Sequence, residues 1–594
     1  MSEVRPTSSH ADSPPLAAGN PSGSGAGRPL PAAGWPGLLP VALVAVLLAN
    51  PAKSVALIAW LDAWETPADA LLFRFFLSLA WLLALFPLLV RLRSRWILGL
   101  AGLQAGFLAV HALYFGFFRI PLSVQAAWAL FDEGLTLLRF PGAIPLNAGV
   151  LIAVADLPLL LILLLVRRNR PEAWPAHGRL STGLGLAGLA CLLAGVLWHL
   201  SWHGSPRVWF QAPSASSLQA VRWCGLPGFM LGNLVWGEAV PRLEYSRTTL
   251  TGTASGEPLD LVLIQVESLD SGLVGHSHQG RLVMPNLTAL AREAWYFPMT
   301  LAYHLGGATS DCELTVLNSV QPFMDHPALK SDQELFTNAM PGILARRGYD
   351  TQAFHGNEGE FFNRRLAFAR MGFRRFRDVF DMGLWGEPDC WGAADELVFD
   401  VARRAWQESP GPRFFHVITM SSHTPFDFPN RYPPTYRHAL PADLFADVEP
   451  LLVRNYFRSM AYVDACLGEF VAGFDRRSTV IAIFGDHSFP IDTPVYRARR
   501  FVRDERLLDF VPLLLLVPGA APRTETELAA GFLDLAPTLL NAARVPFRLR
   551  SDGVDLADPA AMARTTIPYR GVDWSRKELY RWALEHSAAT GGAL

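Results

Sequence analysis

Lysine is nearly missing from this chain of 594 residues: it stands only at positions 53, 330 and 577, against 48 arginines. Cysteine is scarce too, at 191, 224, 312, 390 and 466, which excludes a fold stapled throughout by disulfides. Charged residues make up only 18%, where a soluble domain carries roughly a quarter. The formal net charge is -2 and the pI is about 6.7. With no compact Lys/Arg cluster and no zinc knuckle, nucleic acid is not an expected partner. What fills the space is apolar: 51% of residues are hydrophobic and the mean hydropathy is +0.22. Part of the chain is therefore expected in lipid.

The charge deficit is local. Between Trp35 and Leu200 the acidic residues are Asp62, Glu65, Asp69, Asp132, Glu133, Asp156 and Glu172, and apolar runs lie near 37–60, 70–90, 96–118, 147–166 and 181–200. Each run approaches the ~20 residues a membrane helix needs. Arg91, Arg93 and Arg95 follow the second run, and Arg167, Arg168 and Arg170 the fourth. Arginine-rich short loops stay cytoplasmic, so five spans place the chain after Leu200 outside a bacterial inner membrane. Residues 1–34, rich in Pro, Ser, Gly and Ala, are expected to be a disordered cytoplasmic tail. Residues 35–200 form the expected five-helix transmembrane domain. The 201–255 stretch, with Trp202, Trp209, Trp223 and Trp236, is expected as an interfacial linker or one packed on the next domain. Arg74 and Asp156 stand inside apolar runs. Either they form an intramembrane pair or path, or Arg74 snorkels and Asp156 bonds to a neighbouring helix.

From 256 to 546 short apolar runs alternate with helical stretches. Leu261–Val266, Thr351–Phe354, Phe414–Met420, Val480–Phe484 and Leu513–Val517 read as strands; 286–294, 395–408 and 453–473 read as helices. Strands that are apolar throughout and separated by helices imply an α/β domain with a mostly parallel sheet. Ligands bind beyond the carboxyl ends of such strands, and four of those ends carry titratable groups: Glu267, His355, His423, and the adjacent Asp486 and His487. One such residue alone reads as structural; four together read as a site. Glu267, Asp486 and His487 form a mixed oxygen and nitrogen set suited to a divalent cation. In Gly306-Gly307-Ala308-Thr309-Ser310-Asp311-Cys312-Glu313, Ser310 and Glu313 fit a capping box. Thr309 then stands as the nucleophile at a helix start, where N–H groups favour phosphate. Cys312 reads as a packing residue. Residues 547–594 are a C-terminal extension.

Together, Glu267, Gly-Gly-Ala-Thr-Ser-Asp-Cys-Glu, Phe-His-Gly-Asn with Phe-Phe-Asn-Arg, Ser-His-Thr-Pro-Phe and Gly-Asp-His resemble the lipoteichoic acid synthase family. This is a sulfatase-like branch of the alkaline phosphatase superfamily. Asp534–Leu540 resembles a late helix of that branch. The resemblance implies one divalent cation, commonly Mn²⁺, with Zn²⁺ or Mg²⁺ as alternatives, held by Glu267, Thr309, Asp486 and His487. It implies a phospholipid donor such as phosphatidylglycerol, glycerol phosphate held on Thr309, and a glycan or glycolipid acceptor. His355, Asn357, Arg364 and His423 match substrate-binding positions. Asn357 replaces an expected acidic residue, and Phe362 stands where a tryptophan is common. A sulfatase is disfavoured because no Cys/Ser-x-Pro-x-Arg setting occurs at the nucleophile. A phosphoethanolamine transferase of the same fold and a non-catalytic sulfatase-like sensor are the other readings; scattered cysteines weigh against the first, and the intact cluster of charges against the second.

Overall fold

The computed structural model describes residues 38–61, 68–89, 92, 94–118, 121–137, 147–168, 178–203, 217–236, 243–253, 256–324, 326–330, 336, 338–385, 391–489, 501–503 and 506–588. The expected tail at 1–34, and Trp209, fall outside them.

Among the described residues three helical stretches are long and apolar enough to cross a membrane: Ala68–Leu89, Trp96–Gly116 and Ser181–Trp198. These are the second, third and fifth runs. The first run is a helix, Leu38–Leu61, interrupted in sequence by Pro51. The fourth is divided into Ala148–Val154 and Leu157–Arg168. Asp156 stands at the division, and its carboxylate accepts two hydrogen bonds from Lys53 Nζ, at 2.7 and 2.8 Å. Asp156 thus bonds to a neighbouring helix, with Lys53 as partner rather than Arg74. Arg74 is buried within the protein, its guanidinium 4.8 Å from the Phe73 ring centre. Helices 68–89 and 178–203 pack closely; a Cβ on Gly188 would come within 2.4 Å of the Ala84 nitrogen.

The stretch expected as a linker at 201–255 holds more structure than a linker needs. It contains a helix, Ser217–Trp236, kinked at Gly225 (φ 68). Leu226 and Phe229 of that helix join Leu57, Ile58 and Ala112 in a buried cluster. Further on, Thr249–Gly252 pairs antiparallel with Phe547–Arg550.

Among the described residues the main sheet of the α/β domain has nine strands: β1 (Asp260–Val266), β2 (Trp295–Leu301), β3 (Asp350–His355), β4 (Arg375–Arg377), β5 (Arg413–Ile418), β6 (Thr479–Gly485), β7 (Phe510–Leu516), β8 (Arg523–Thr524) and β9 (Ala530–Gly531). The order is β8-β2-β7-β6-β1-β5-β3-β4, with β9 also on β2. β1 runs parallel to β5 and β6, and β3 to β4 and β5. β7 runs antiparallel to both β2 and β6, so the sheet is mixed, though mostly parallel. β2 was not read from the sequence. Every residue of β1, β6 and β7 is buried. Covering a side chain such as Leu or Ile there contributes roughly 1.5–3 kcal/mol.

One face of the sheet packs with Thr309–Asn318 and Leu535–Ala542, the other with Asp395–Glu408 and Leu451–Ala472. The C-terminal extension belongs to the first face: Leu549, Ile567, Tyr569, Trp574 and Leu579 are buried in its core. Arg576, fully buried, pairs with the equally buried Asp534 at 2.6 Å.

Candidate active site and metal centre

The carboxyl ends of β1 and β6 are adjacent because the two strands pair in parallel to their last residues, Val266 with Gly485. Glu267 follows one and Asp486-His487 the other, so three groups far apart in sequence are forced together. Their ligand atoms lie within 4.8 Å of one another. His487 Nε2 is 3.1 Å from Glu267 Oε1 and 3.7 Å from Asp486 Oδ1. His487 Nδ1 lies 2.7 Å from the Ser488 carbonyl; an N–H there directs Nε2 into the cluster. Ser268, with φ 57, donates its N–H to Asp486 Oδ1 at 2.9 Å and its hydroxyl to Glu267 Oε1 at 2.8 Å.

All three groups are buried, and their ionisation follows from that. Burial opposes the charge on Glu267, but the facing His487 holds its carboxyl well below the usual range. Burial and the Glu267 carboxylate push Asp486 well up. Burial works against the His487 imidazolium, yet Asp486 and Glu267 raise it to about 10. Asp486 Oδ2 is buried without a hydrogen-bond partner. A donor set of two carboxylates and an imidazole with one orphaned oxygen fits a divalent cation, which would displace the shared protons.

Thr309 opens the helix Thr309–Asn318, and its Oγ1 lies 3.4 Å from Glu267 Oε2. The expected capping box does not form. Ala308 (φ 50) precedes the helix with no side-chain cap, Ser310 Oγ donates to the Gly307 carbonyl at 2.6 Å, and Glu313 turns to Arg364. The left-handed Ala308 is backbone strain that a local cap would not require; it presents Thr309 to the cluster. Gly307 is needed by close approach, since a Cβ would meet Asp311 Oδ1 at 2.2 Å. Cys312 is wholly buried in the core, as its packing reading expects.

Arg364 is buried and ties Glu313 through Nε, at 2.9 Å to both oxygens, and through Nη2 at 2.8 Å. Its other hydrogen bond, from Nη1 to the Phe361 carbonyl, is long at 3.3 Å. His355 and His423 complete the rim. Burial and then Arg364 hold the His355 imidazole well down; burial also lowers His423, opposed by Glu267. Asn357, buried, accepts the N–H of the next residue, Glu358, on its Oδ1 at 2.7 Å.

Sequence reading missed three neighbours. The His304 ring stacks on His487 with centroids 4.2 Å apart. Trp391 packs on His423 at 4.8 Å and near Phe361 at 6.1 Å, a tryptophan on this wall although Phe362 is not one. Ser268 braces both carboxylates. His304 was hidden because it follows β2, the unread strand.

Residues 260–545 match the family model described as Sulfatase. The α/β domain is therefore sulfatase-type. The chain is 26% identical over 339 residues to lipoteichoic acid synthase 2 of Bacillus subtilis, covering 54% of this chain and 50% of the relative. It is 24% identical over 337 residues to a lipoteichoic acid synthase of Staphylococcus aureus, again 54% and 50%. The chain spans about half the length of the curated relatives it matches. Among solved structures, the integral membrane lipooligosaccharide phosphoethanolamine transferase A from Neisseria meningitidis superposes with a TM-score of 0.51 at 14% identity, covering 87% of this chain and 96% of that one. That likeness concerns the fold. Over this domain the chain is similar to lipoteichoic acid synthases.

Proposed function

We propose that the protein is a membrane-bound phosphoglycerol transferase that moves glycerol phosphate from phosphatidylglycerol to an extracytoplasmic glycan or lipid acceptor through a covalent intermediate on Thr309. The observation that carries this reading is the Thr309 hydroxyl, 3.4 Å from Glu267 at the start of a buried helix and beside the Glu267, Asp486 and His487 cluster. Thr309 Oγ bonds to phosphorus, the bond from phosphorus to the diacylglycerol oxygen breaks, and a histidine at the rim returns a proton to that oxygen. An acceptor hydroxyl then attacks phosphorus, gives up its proton, and Thr309 Oγ leaves. A divalent cation, manganese in this proposal, would be held by Glu267, Thr309, Asp486 and His487, easing deprotonation of the hydroxyl and offsetting charge on the phosphoryl oxygens. Arg364, already oriented by Glu313, has donors left for phosphate. His355 and His423 are the neutral bases available.

The orientation belongs to the same proposal: five spans, with the α/β domain outside. It is supported by contact between the loop after the third run and that domain, where Lys330 Nζ donates to Glu133 at 2.7 Å. Five spans put both on the outer side.

Mass spectrometry of the Thr309 peptide, after full-length protein meets phosphatidylglycerol vesicles, tests the reading. A glycerol phosphate adduct on Thr309 is expected. An adduct bearing ethanolamine from phosphatidylethanolamine would instead select the other transferase, and an unmodified Thr309 with full turnover would remove the covalent step. Thr309→Ala should abolish diacylglycerol release, by more than the ~10²–10⁴-fold of losing a general acid or base, and Thr309→Ser should keep some.

A further inference from the structure

Two of the three lysines in this lysine-poor chain sit in ion pairs, and one pair crosses from the membrane region to the α/β domain. Glu133 lies on a short helix, Phe131–Leu137, that follows another, Val124–Ala129. Glu133 is buried, 6% exposed. Lys330 Nζ donates to Glu133 Oε2 at 2.7 Å and to the Ala129 carbonyl at 2.5 Å. Glu133 Oε1 accepts the Phe362 N–H at 2.9 Å.

Phe362 is an awkward place in the chain. Phe362 (φ 54) and Asn363 (φ 60) are successive non-glycine residues with left-handed backbone, a strained arrangement that persists only where surroundings impose it. Asn363 Nδ2 donates to the Leu329 carbonyl at 3.3 Å, beside Lys330. Directly after this turn comes Arg364, its guanidinium 5.6 Å from the Phe362 ring centre. The helices that carry Glu133 are tied on their other side to helix Ser217–Trp236, where Gln125 Nε2 donates to the Asn233 carbonyl at 3.2 Å.

We propose that Glu133 is a positioning residue of the active site: supplied by the membrane region, it holds the strained Phe361–Arg364 turn through the Phe362 N–H and so sets the Arg364 guanidinium. A buried carboxylate accepting a backbone N–H makes a charge-assisted bond, and the ion pair with Lys330 fixes the position of that carboxylate. The activity arm of this inference rests on the reading of the site as a phosphodiester-binding one; the geometry arm does not.

The test uses the full-length protein and three variants. Glu133→Ala removes both the acceptor and the ion pair. Glu133→Gln keeps an oxygen for Phe362 and loses only the charge. The exchange Glu133→Lys with Lys330→Glu restores an ion pair but leaves Phe362 no acceptor at position 133. Amide hydrogen exchange over 361–364 should rise about ten-fold or more in Glu133→Ala and in the exchanged pair, and much less in Glu133→Gln. KM for phosphatidylglycerol in vesicles and for the soluble diester bis(p-nitrophenyl) phosphate should rise in the same order, with metal content unchanged. Unchanged exchange in Glu133→Ala, or full recovery in the exchanged pair, would overturn the assignment and leave Glu133 a docking contact. If wild type turned over neither diester, the proposed function would fail while exchange still judged the turn.

Discussion

At the scale of single residues the site is a problem of uncompensated charge. Glu267 and Asp486 are buried carboxylates with one imidazole between them, and Asp486 Oδ2 has no hydrogen-bond partner. Such an arrangement costs several kcal/mol per ion unless a cation or protons offset it. Asp486→Asn should therefore leave the purified protein with markedly less bound divalent metal, read by elemental analysis, while Asn357→Ala should leave it unchanged. Equal metal in Asp486→Asn and wild type would remove Asp486 from the ligand set. The candidate ligands were legible in the sequence because strand ends can be counted from apolar runs. The partner of Arg364 was not: Glu313 is 51 residues away and looks like a cap until the helix is seen in place.

Elements are held at their ends by buried acids. Asp464, on helix Leu451–Ala472, accepts the N–H groups of Asn286 and Leu287 at 2.9 and 2.7 Å, closing the start of helix Pro285–Glu293. Met284, the residue before that helix, makes no side-chain cap. Burial raises the Asp464 carboxyl from 3.8 to about 6, against these hydrogen bonds. A raised folded pKa means stability fully present below the unfolded value and lost as pH rises through the folded one. The advantage of wild type over Asp464→Asn in urea unfolding should thus shrink between pH 4 and pH 7, by on the order of 2 kcal/mol. A constant difference across that window would mean the carboxylate ionises normally in the fold.

Across the whole molecule, segments distant in sequence close the structure. Asp534 accepts from Gly531 and Val554 and meets Arg576 at 2.6 and 2.8 Å. The Arg576 guanidinium, despite burial, is held charged by Asp534. Arg576→Met leaves that carboxylate buried without its cation, and should lower stability by about 3–5 kcal/mol, seen as earlier unfolding of the detergent-solubilised protein. Arg581→Met, outside this pair, should change little. Topology is tested at the same scale. A C-terminal reporter that is active only outside the cytoplasm should be active, and activity of a cytoplasm-only reporter would reverse the orientation.

What the sequence determined by itself is what short-range pattern can carry. Apolar runs gave three helices long and apolar enough to cross a membrane and five of the sheet strands, because burial on both faces removes polar residues from a stretch of chain. Short motifs at strand ends singled out Glu267, His355, His423, Asp486 and His487 as candidates, since parallel pairing must deliver those ends to one edge, and a glycine-led helix start singled out Thr309. The tertiary structure decided everything that depends on a partner far along the chain. It paired Asp156 with Lys53, Glu313 with Arg364 and Glu133 with Phe362, separations of 103, 51 and 229 residues. It turned β7 antiparallel, broke the fourth apolar run at Asp156, and drew the C-terminal extension into the core. A buried charge takes whichever counter-charge packing brings within reach, and no local pattern records that choice.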